Sequence, residues 1–245
     1  MKIEIPLIKK YELNPKNLVD VVRCDVVQGG FKRLAIDGVY TKSKANNLIF
    51  ATNSLGTGGL ALTLSLLESG KYPIIFLSKL DSLSRDLSLC EKMGAQLDFS
   101  GIAEPFDSDA LRKEALEKYS NTDYEVLPLG LENEEVKSNI VKLAKNIFSS
   151  KTPREVWVAT ASGLTIRSLQ IAFPDANFYA VLVKGNTPDV GKAEVHKLKE
   201  IFKESARVMP PYPSNSNYDA KVWEVMLEYS KEHEIKDGTV IFNIA

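Results

Sequence analysis

Three short segments carry residue types that can do chemistry. The first is Arg23-Cys24-Asp25-Val26-Val27-Gln28-Gly29-Gly30-Phe31-Lys32-Arg33-Leu34. Adjacent glycines let a backbone turn tightly or approach a ligand closely. A lysine follows at the mouth of that turn. A lysine that forms an imine must reach its neutral form, which takes a desolvated or cation-rich setting. Arg33 beside Lys32 supplies a cation. A surface turn with two solvated basic residues is the plainer alternative. The second segment, Ala51-Thr52-Asn53-Ser54-Leu55-Gly56-Thr57-Gly58-Gly59, lies between a buried strand and a helix. Small residues and hydroxyls at a helix N-terminus suit an anion or a polar substrate head. It lacks the Gly-Lys-Ser/Thr of a Walker loop and the GxGxxG of a dinucleotide fingerprint. A tight turn capped by Ser54 or Thr57 fits equally. The third segment is Thr160-Ala161-Ser162-Gly163-Leu164-Thr165, directly after the strand EVWVAT. Free N–H groups of a first helical turn, with the Thr165 hydroxyl, form a ready phosphate cradle. Ser162 as a plain N-cap is the alternative.

The elements that must position these segments alternate between strand and helix. Apolar runs predict strands at 48–52, 74–78, 95–99, 125–127, 155–160, 177–183 and from 239 to the chain end. Helical periodicity predicts helices at 57–69, 84–93, 107–120, 132–148, 163–173, from just after Pro188-Asp189 to about 203, and at 219–231. Such alternation implies βαβ units: an α/β fold of mostly parallel, twisted sheets covered by helices. Ligands in such sheets sit at the carboxyl ends of the strands, so the strand-to-helix loops are the places to look, and the second and third segments lie in such loops. The expected organisation is one compact unit, in which residues 44–150 form a smaller lobe and 1–43 with 151–245 a larger one.

Composition narrows the function classes. The chain has 245 residues, 44% apolar and 26% charged, with a formal net charge of −1. That balance gives no global attraction to nucleic acid or to an anionic membrane. Leu48 to Leu67 is uncharged and long enough to span a bilayer, but its Thr, Asn, Ser and Gly cluster marks a strand, a turn and a helix. The two cysteines, Cys24 and Cys90, have no metal-type spacing and read as reduced core residues. No signal peptide precedes the first elements, so a cytoplasmic setting is the expectation. His196 and His233 read as solvated residues on charged helical faces, within or near a Lys/Glu run from Lys192 to Glu204. Trp157 and Trp223 read as core anchors. The stretch 209–217, MPPYPSNSN, reads as an ordered loop whose Tyr212, with Tyr218 just beyond it, suits a half-buried rim over the ligand edge.

Taken in order, these segments resemble one family. Arg-x-Asp followed by Gly-Gly-x-Lys-x-x-Leu resembles the cofactor-lysine segment of the aminocyclopropane-carboxylate deaminase and D-cysteine desulfhydrase branch. That branch belongs to the tryptophan synthase β-chain-like, fold-type-II pyridoxal 5′-phosphate (PLP) superfamily. The Thr52-Asn53-Ser54 loop resembles the family's Ser-Asn loop. The helix ending in Met93-Gly94-Ala95 and the Ser162-Gly163-Leu164-Thr165 turn follow in the family's order. The resemblance runs from about residue 20 to 183. It implies PLP anchored by Lys32, its phosphate held by Ser162, Gly163, Leu164 and Thr165, and its 3′-oxygen near Asn53. Thr52, Ser54, Tyr212 and Tyr218 would face an amino-acid-like substrate. It implies no metal, and a homodimer is the expected assembly. The departures are a histidine-free Ser-Asn loop, a phosphate turn with one glycine, and no residue assigned to the pyridine nitrogen. The chain looks short for the superfamily, and residues 210–223 resemble small, partly phage-encoded relatives. Two other functions stay open: a cofactor-free binding module on the same fold, and an enzyme modifying a nucleotide- or nucleic-acid-linked amino group.

Overall fold

The computed structural model describes residues 6–53, 56–78, 83–101, 108–183, 188–198 and 204–244. In chain order the elements are β1 (Leu7–Asn14), β2 (Asn17–Arg23), α1 (Gly30–Ile36), β3 (Asn47–Ala51), α2 (Gly58–Leu66), β4 (Tyr72–Leu77), α3 (Arg85–Lys92), β5 (Gln96–Phe99), α4 (Ser108–Lys118), β6 (Tyr124–Val126), α5 (Glu134–Ile147), β7 (Glu155–Thr160), α6 (Leu164–Ala172), β8 (Asn177–Leu182), β9 (Glu194–Lys197), α7 (Ala220–Tyr229) and β10 (Thr239–Asn243). The chain divides into two compact units, Met1–Phe31 with Lys137–Ala245, and Lys32–Val136.

The first unit is built on a six-stranded sheet in the order β1-β2-β10-β7-β8-β9. All neighbours are parallel except the β1–β2 hairpin. Every residue of β7 is buried, as a strand covered on both faces requires. Alternate side chains face opposite layers. Trp157 turns to α7, with its ring 5.1 Å from that of Tyr229. Phe242 of β10 turns the other way, 5.9 Å from both Phe31 and Phe148. The second unit holds a parallel four-stranded sheet, β5-β4-β3-β6. Ile49, Ala51, Ile74 and Phe76 of its central strands pack with Leu111 and Ala115 of α4. All nine residues of α2 are buried, so this helix has no polar face and is held by packing rather than by amphipathicity.

The stretch 48–67, uncharged in sequence, is the β3 strand, its loop and α2. Among the described residues no helix is long and apolar enough to cross a membrane. Trp157 and Trp223 are core residues, 0% and 4% exposed. Cys24 and Cys90 are buried and unbridged. Three expectations need correction. Residues 6–23, given no element by their sequence, form the β1–β2 hairpin. Lys32 does not stand at the mouth of a turn but in the first turn of α1. The helix expected from just after Pro188-Asp189 to about 203 is, in its described part, a turn followed by strand β9; 199–203 lie outside the described residues. Edge pairing with β8 decided that segment, and its charges gave no sign of it.

His196 therefore sits on a strand, not on a solvated helix. Its ring stacks 5.1 Å from Trp157, and its Nε2 lies 3.2 Å from Glu194 Oε1. Burial holds the imidazole below its usual pKa, against the pull of Glu194. The unfolded chain takes up a proton there more readily than the folded one. Stability is thus full above the usual value of 6.5 and is lost as pH falls through the lower folded value. His196→Phe should lose less stability than the wild type between about pH 7.5 and about pH 5.5. Thermal melts at the two pH values check this, each kcal/mol being worth about 2–4 °C at this chain length. Equal losses in the two proteins would contradict it.

A second feature fixes the hairpin to the far end of the chain. Arg23 donates to both oxygens of Asp25, at 2.7 and 2.6 Å, and both side chains are about nine-tenths buried. The same carboxylate accepts from Asn243 Nδ2 at 2.8 Å. Asp25 holds the Arg23 guanidinium above its usual pKa. Asp25→Ala should destabilise the protein by about 3–5 kcal/mol, because it leaves a buried charge without its partner. Denaturant unfolding checks it, and a cost below 1 kcal/mol would contradict it.

Candidate functional site

Within the second unit, Lys32 lies just after Gly29 and Gly30, whose φ of 84° and 68° favour glycine. Its side chain is half-buried. Arg33 is paired with Asp37 one turn on, at 2.5 Å, so the cation beside Lys32 is shared with a carboxylate. Strand β3 delivers Thr52 and Asn53, 9% and 7% exposed. A Cβ on Gly56 would lie 3.5 Å from Asn53 Oδ1 and 3.7 Å from Thr52 Oγ1. A Cβ on Gly58 would lie 3.8 Å from Lys32 Nζ. Lys32, Thr52 and Asn53 thus gather around the loop and first turn that begin α2. Thr57 is the N-cap of α2 but makes no side-chain cap bond, and Ser54 lies outside the described residues.

Within the first unit, the Ser162-Gly163-Leu164-Thr165 turn stands at the carboxyl end of β7. The N-cap of α6 is Gly163, at φ 82°, rather than Ser162, and no side chain caps the helix. The helix leaves no room for a side chain at Gly163, where a Cβ would lie 2.0 Å from the Asp189 carbonyl oxygen. Arg167 Nη1 donates to that oxygen at 2.6 Å and to Ser162 O at 3.4 Å, which sets a guanidinium against the turn. Tyr218 joins the same end of the sheet, its hydroxyl accepting a backbone hydrogen bond from Ala161. Burial, with Asp219 adjoining, pushes its phenol well above the usual range.

The loop from 209 to 219 is tied down by Ser214 Oγ donating to Asn243 Oδ1 at 2.7 Å and Asn243 Nδ2 donating to Pro213 O at 3.0 Å. Ala206 N–H donates to Ser216 O at 2.7 Å. Tyr212, expected at a rim, is 5% exposed, with its ring 4.8 Å from Tyr11, 5.7 Å from Trp223 and 5.5 Å from the Arg23 guanidinium. An aromatic face beside a buried cation outweighed its polar tip.

Two further residues belong to this description. Asp219, at the start of α7, is a carboxylate only 1% exposed. Lys221, on the first turn of α7, is 0% exposed. Burial depresses its pKa against the pull of Glu204 and Glu224. Their burial was not visible in sequence, where both look like an ordinary charged helix start. The one signal was the run Tyr218-Asp219-Ala220-Lys221 directly after a Pro/Asn-rich loop. Among the described residues, no group of three or more His, Cys, Asp or Glu side chains is placed to hold a metal ion.

No protein-family model matches the sequence. No curated protein matches it either. The fold, in contrast, recurs in solved structures. An ACC deaminase homologue aligns over 99% of this chain and 89% of its own, with a TM-score of 0.80 and 12% identity. A hydrogen sulfide-producing enzyme from Fusobacterium nucleatum aligns over 99% and 95%, with a TM-score of 0.70 and 16% identity. Diaminopropionate ammonia lyase from Escherichia coli aligns over 100% and 83%, with a TM-score of 0.69 and 14% identity. The chain therefore has the mixed α/β fold of the fold-type-II PLP enzymes, along its whole length.

Gly163→Ala tests the turn directly. It places a methyl group against the Asp189 carbonyl at a backbone angle that side chains avoid, at a cost of about 1–3 kcal/mol. Its melting temperature should fall accordingly. An unchanged melt would show that the chain from 188 onward moves aside freely.

Proposed function

We propose that this chain is a PLP-dependent enzyme acting on an amino acid or an amino-acid-like substrate, by elimination, deamination or lyase chemistry. The observation that carries the reading is the Lys32 amine set against the bare backbone at the start of α2, in the loop that holds Thr52 and Asn53. The whole-length fold likeness to deaminases and lyases supports it. The residues present suit the cofactor. Lys32 is the covalent anchor. Ser162, Gly163, Leu164 and Thr165, with the N–H groups of α6 and the nearby Arg167, suit a phosphate. Asn53 suits the 3′-oxygen, and Asp219 is the buried carboxylate suited to a pyridinium nitrogen. When bound, PLP supplies an electron sink for the substrate's α-carbon.

The chain's own residues do the rest. Thr52 and Asn53, buried beside the start of α2, present a hydroxyl and an amide to a substrate carboxylate. Ser54 completes that set in the sequence motif. The Lys32 amine, once free, takes or returns the proton at the substrate's reacting carbon. Tyr218 offers a phenol that burial keeps protonated, and so a donor, across the physiological range.

A second reading, a cofactor-free binding module, is favoured by one observation. The Asp189 carbonyl sits against Gly163 and engages Arg167, which competes with a phosphate for the same turn. One experiment separates the two. The protein is incubated with PLP, reduced with borohydride and mapped by peptide mass. The expected result is a new visible absorption band and the cofactor mass on Lys32. The mass on Lys221 or another lysine would overturn the anchor assignment. Absence of both band and mass would favour the binding module.

A further inference from the structure

We propose that Gly58 is a positioning residue for Lys32, because the side chain it lacks leaves the amine open to small electrophiles at the first turn of α2. The inference rests on the reading of Lys32 as the covalent anchor and adds a residue that the lysine motif does not contain.

Gly58 begins α2 with no positive φ, so its backbone does not require glycine. Alanine is about 1 kcal/mol better than glycine within a helix. The reason for glycine here is therefore close approach. A Cβ at this position would lie 2.7 Å from Phe50 Cε1 and 3.1 Å from Phe50 Cζ, and 3.8 Å from Lys32 Nζ. The first distance is a collision, the second a tight contact and the third ordinary van der Waals contact. The Phe50 ring is seated on the bare Cα, and the Lys32 amine lies beside it. Phe50 is 3% exposed on a strand whose last four residues are all buried, so its ring has little room to swing away. A methyl group at Gly58 would first strain Phe50, and, with that strain relieved, would still lie against the amine.

The structural and positional effects can be separated with Gly58→Ala, Phe50→Leu and the double variant. The readout is competitive labelling of the cofactor-free protein with trace acetic anhydride, mapped by peptide mass alongside thermal melts. The Lys32 amine attacks one carbonyl, acetate leaves, and the ammonium proton passes to solvent. Gly58→Ala should lower the melting temperature and slow labelling of Lys32 about tenfold relative to other lysines. The double variant should recover the melting temperature of Phe50→Leu while Lys32 labelling stays slow. Wild-type labelling in Gly58→Ala would overturn the proposal. So would a double variant that recovers labelling together with stability, since the glycine would then serve Phe50 alone. Should Gly58→Ala fail to fold, the double variant decides by itself. The labelling needs no PLP, so its outcome is read separately from any failure of PLP to load on Lys32.

Discussion

The pairing of the last strand into the middle of the first unit's sheet is the constraint on which that unit depends. β10 lies between β2 and β7, parallel to both. Without it the hairpin at one end of the chain and the β7–β8–β9 strands share no ladder. The same strand carries two side-chain and main-chain anchors. Asn243 reaches Asp25 on one side and the Pro213–Ser214 segment on the other. The Ile244 carbonyl accepts the Phe31 N–H at 2.9 Å, one residue before Lys32. A parallel strand inserted between partners so distant in sequence makes folding depend on non-local contacts, whose loop-closure entropy is lost before they form.

That arrangement explains why buried polar groups collect at one end of the sheet. Arg23, Asp25, Asn243 and Asp219 are all buried or nearly so, and Tyr212 lies over the Arg23 guanidinium. Charges in such a place are tolerated when each meets an opposite charge or a fixed dipole. The bidentate Arg23–Asp25 pair meets this condition.

The second unit reaches its site by a different route. α2 is buried on every side, so steric fit decides its register. Gly58 and Gly59 face Phe50 and Ile75 at distances that leave no room for a side chain at Gly58 and little at Gly59. The bare first turn that results is what Lys32, Thr52 and Asn53 surround.

Much of this was legible in the sequence, because it depends on local rules. Apolar runs located β3, β4, β7 and β8; helical periodicity located α2 and α3 with glycine stops, and α5 and α6 with proline breaks. The Gly29-Gly30-Phe31-Lys32 motif was visible as residue types, and the turn at Gly163 as residue types following a strand, where an α/β sheet places its ligand loops. Tertiary structure alone decided the remainder. Strand β9 has the charge pattern of a helix and was fixed by pairing with β8 and by the stack of His196 on Trp157. Tyr212 has the amphipathic look of a rim residue and was drawn into the core by a cation. Asp219 and Lys221 resemble a solvated helix start and became buried charges. In each case the deciding energy comes from a neighbour remote in the chain, through pairing, stacking or exclusion of water. A sequence read by local propensity registers which groups are present, and only the packed fold determines which of them lose contact with solvent.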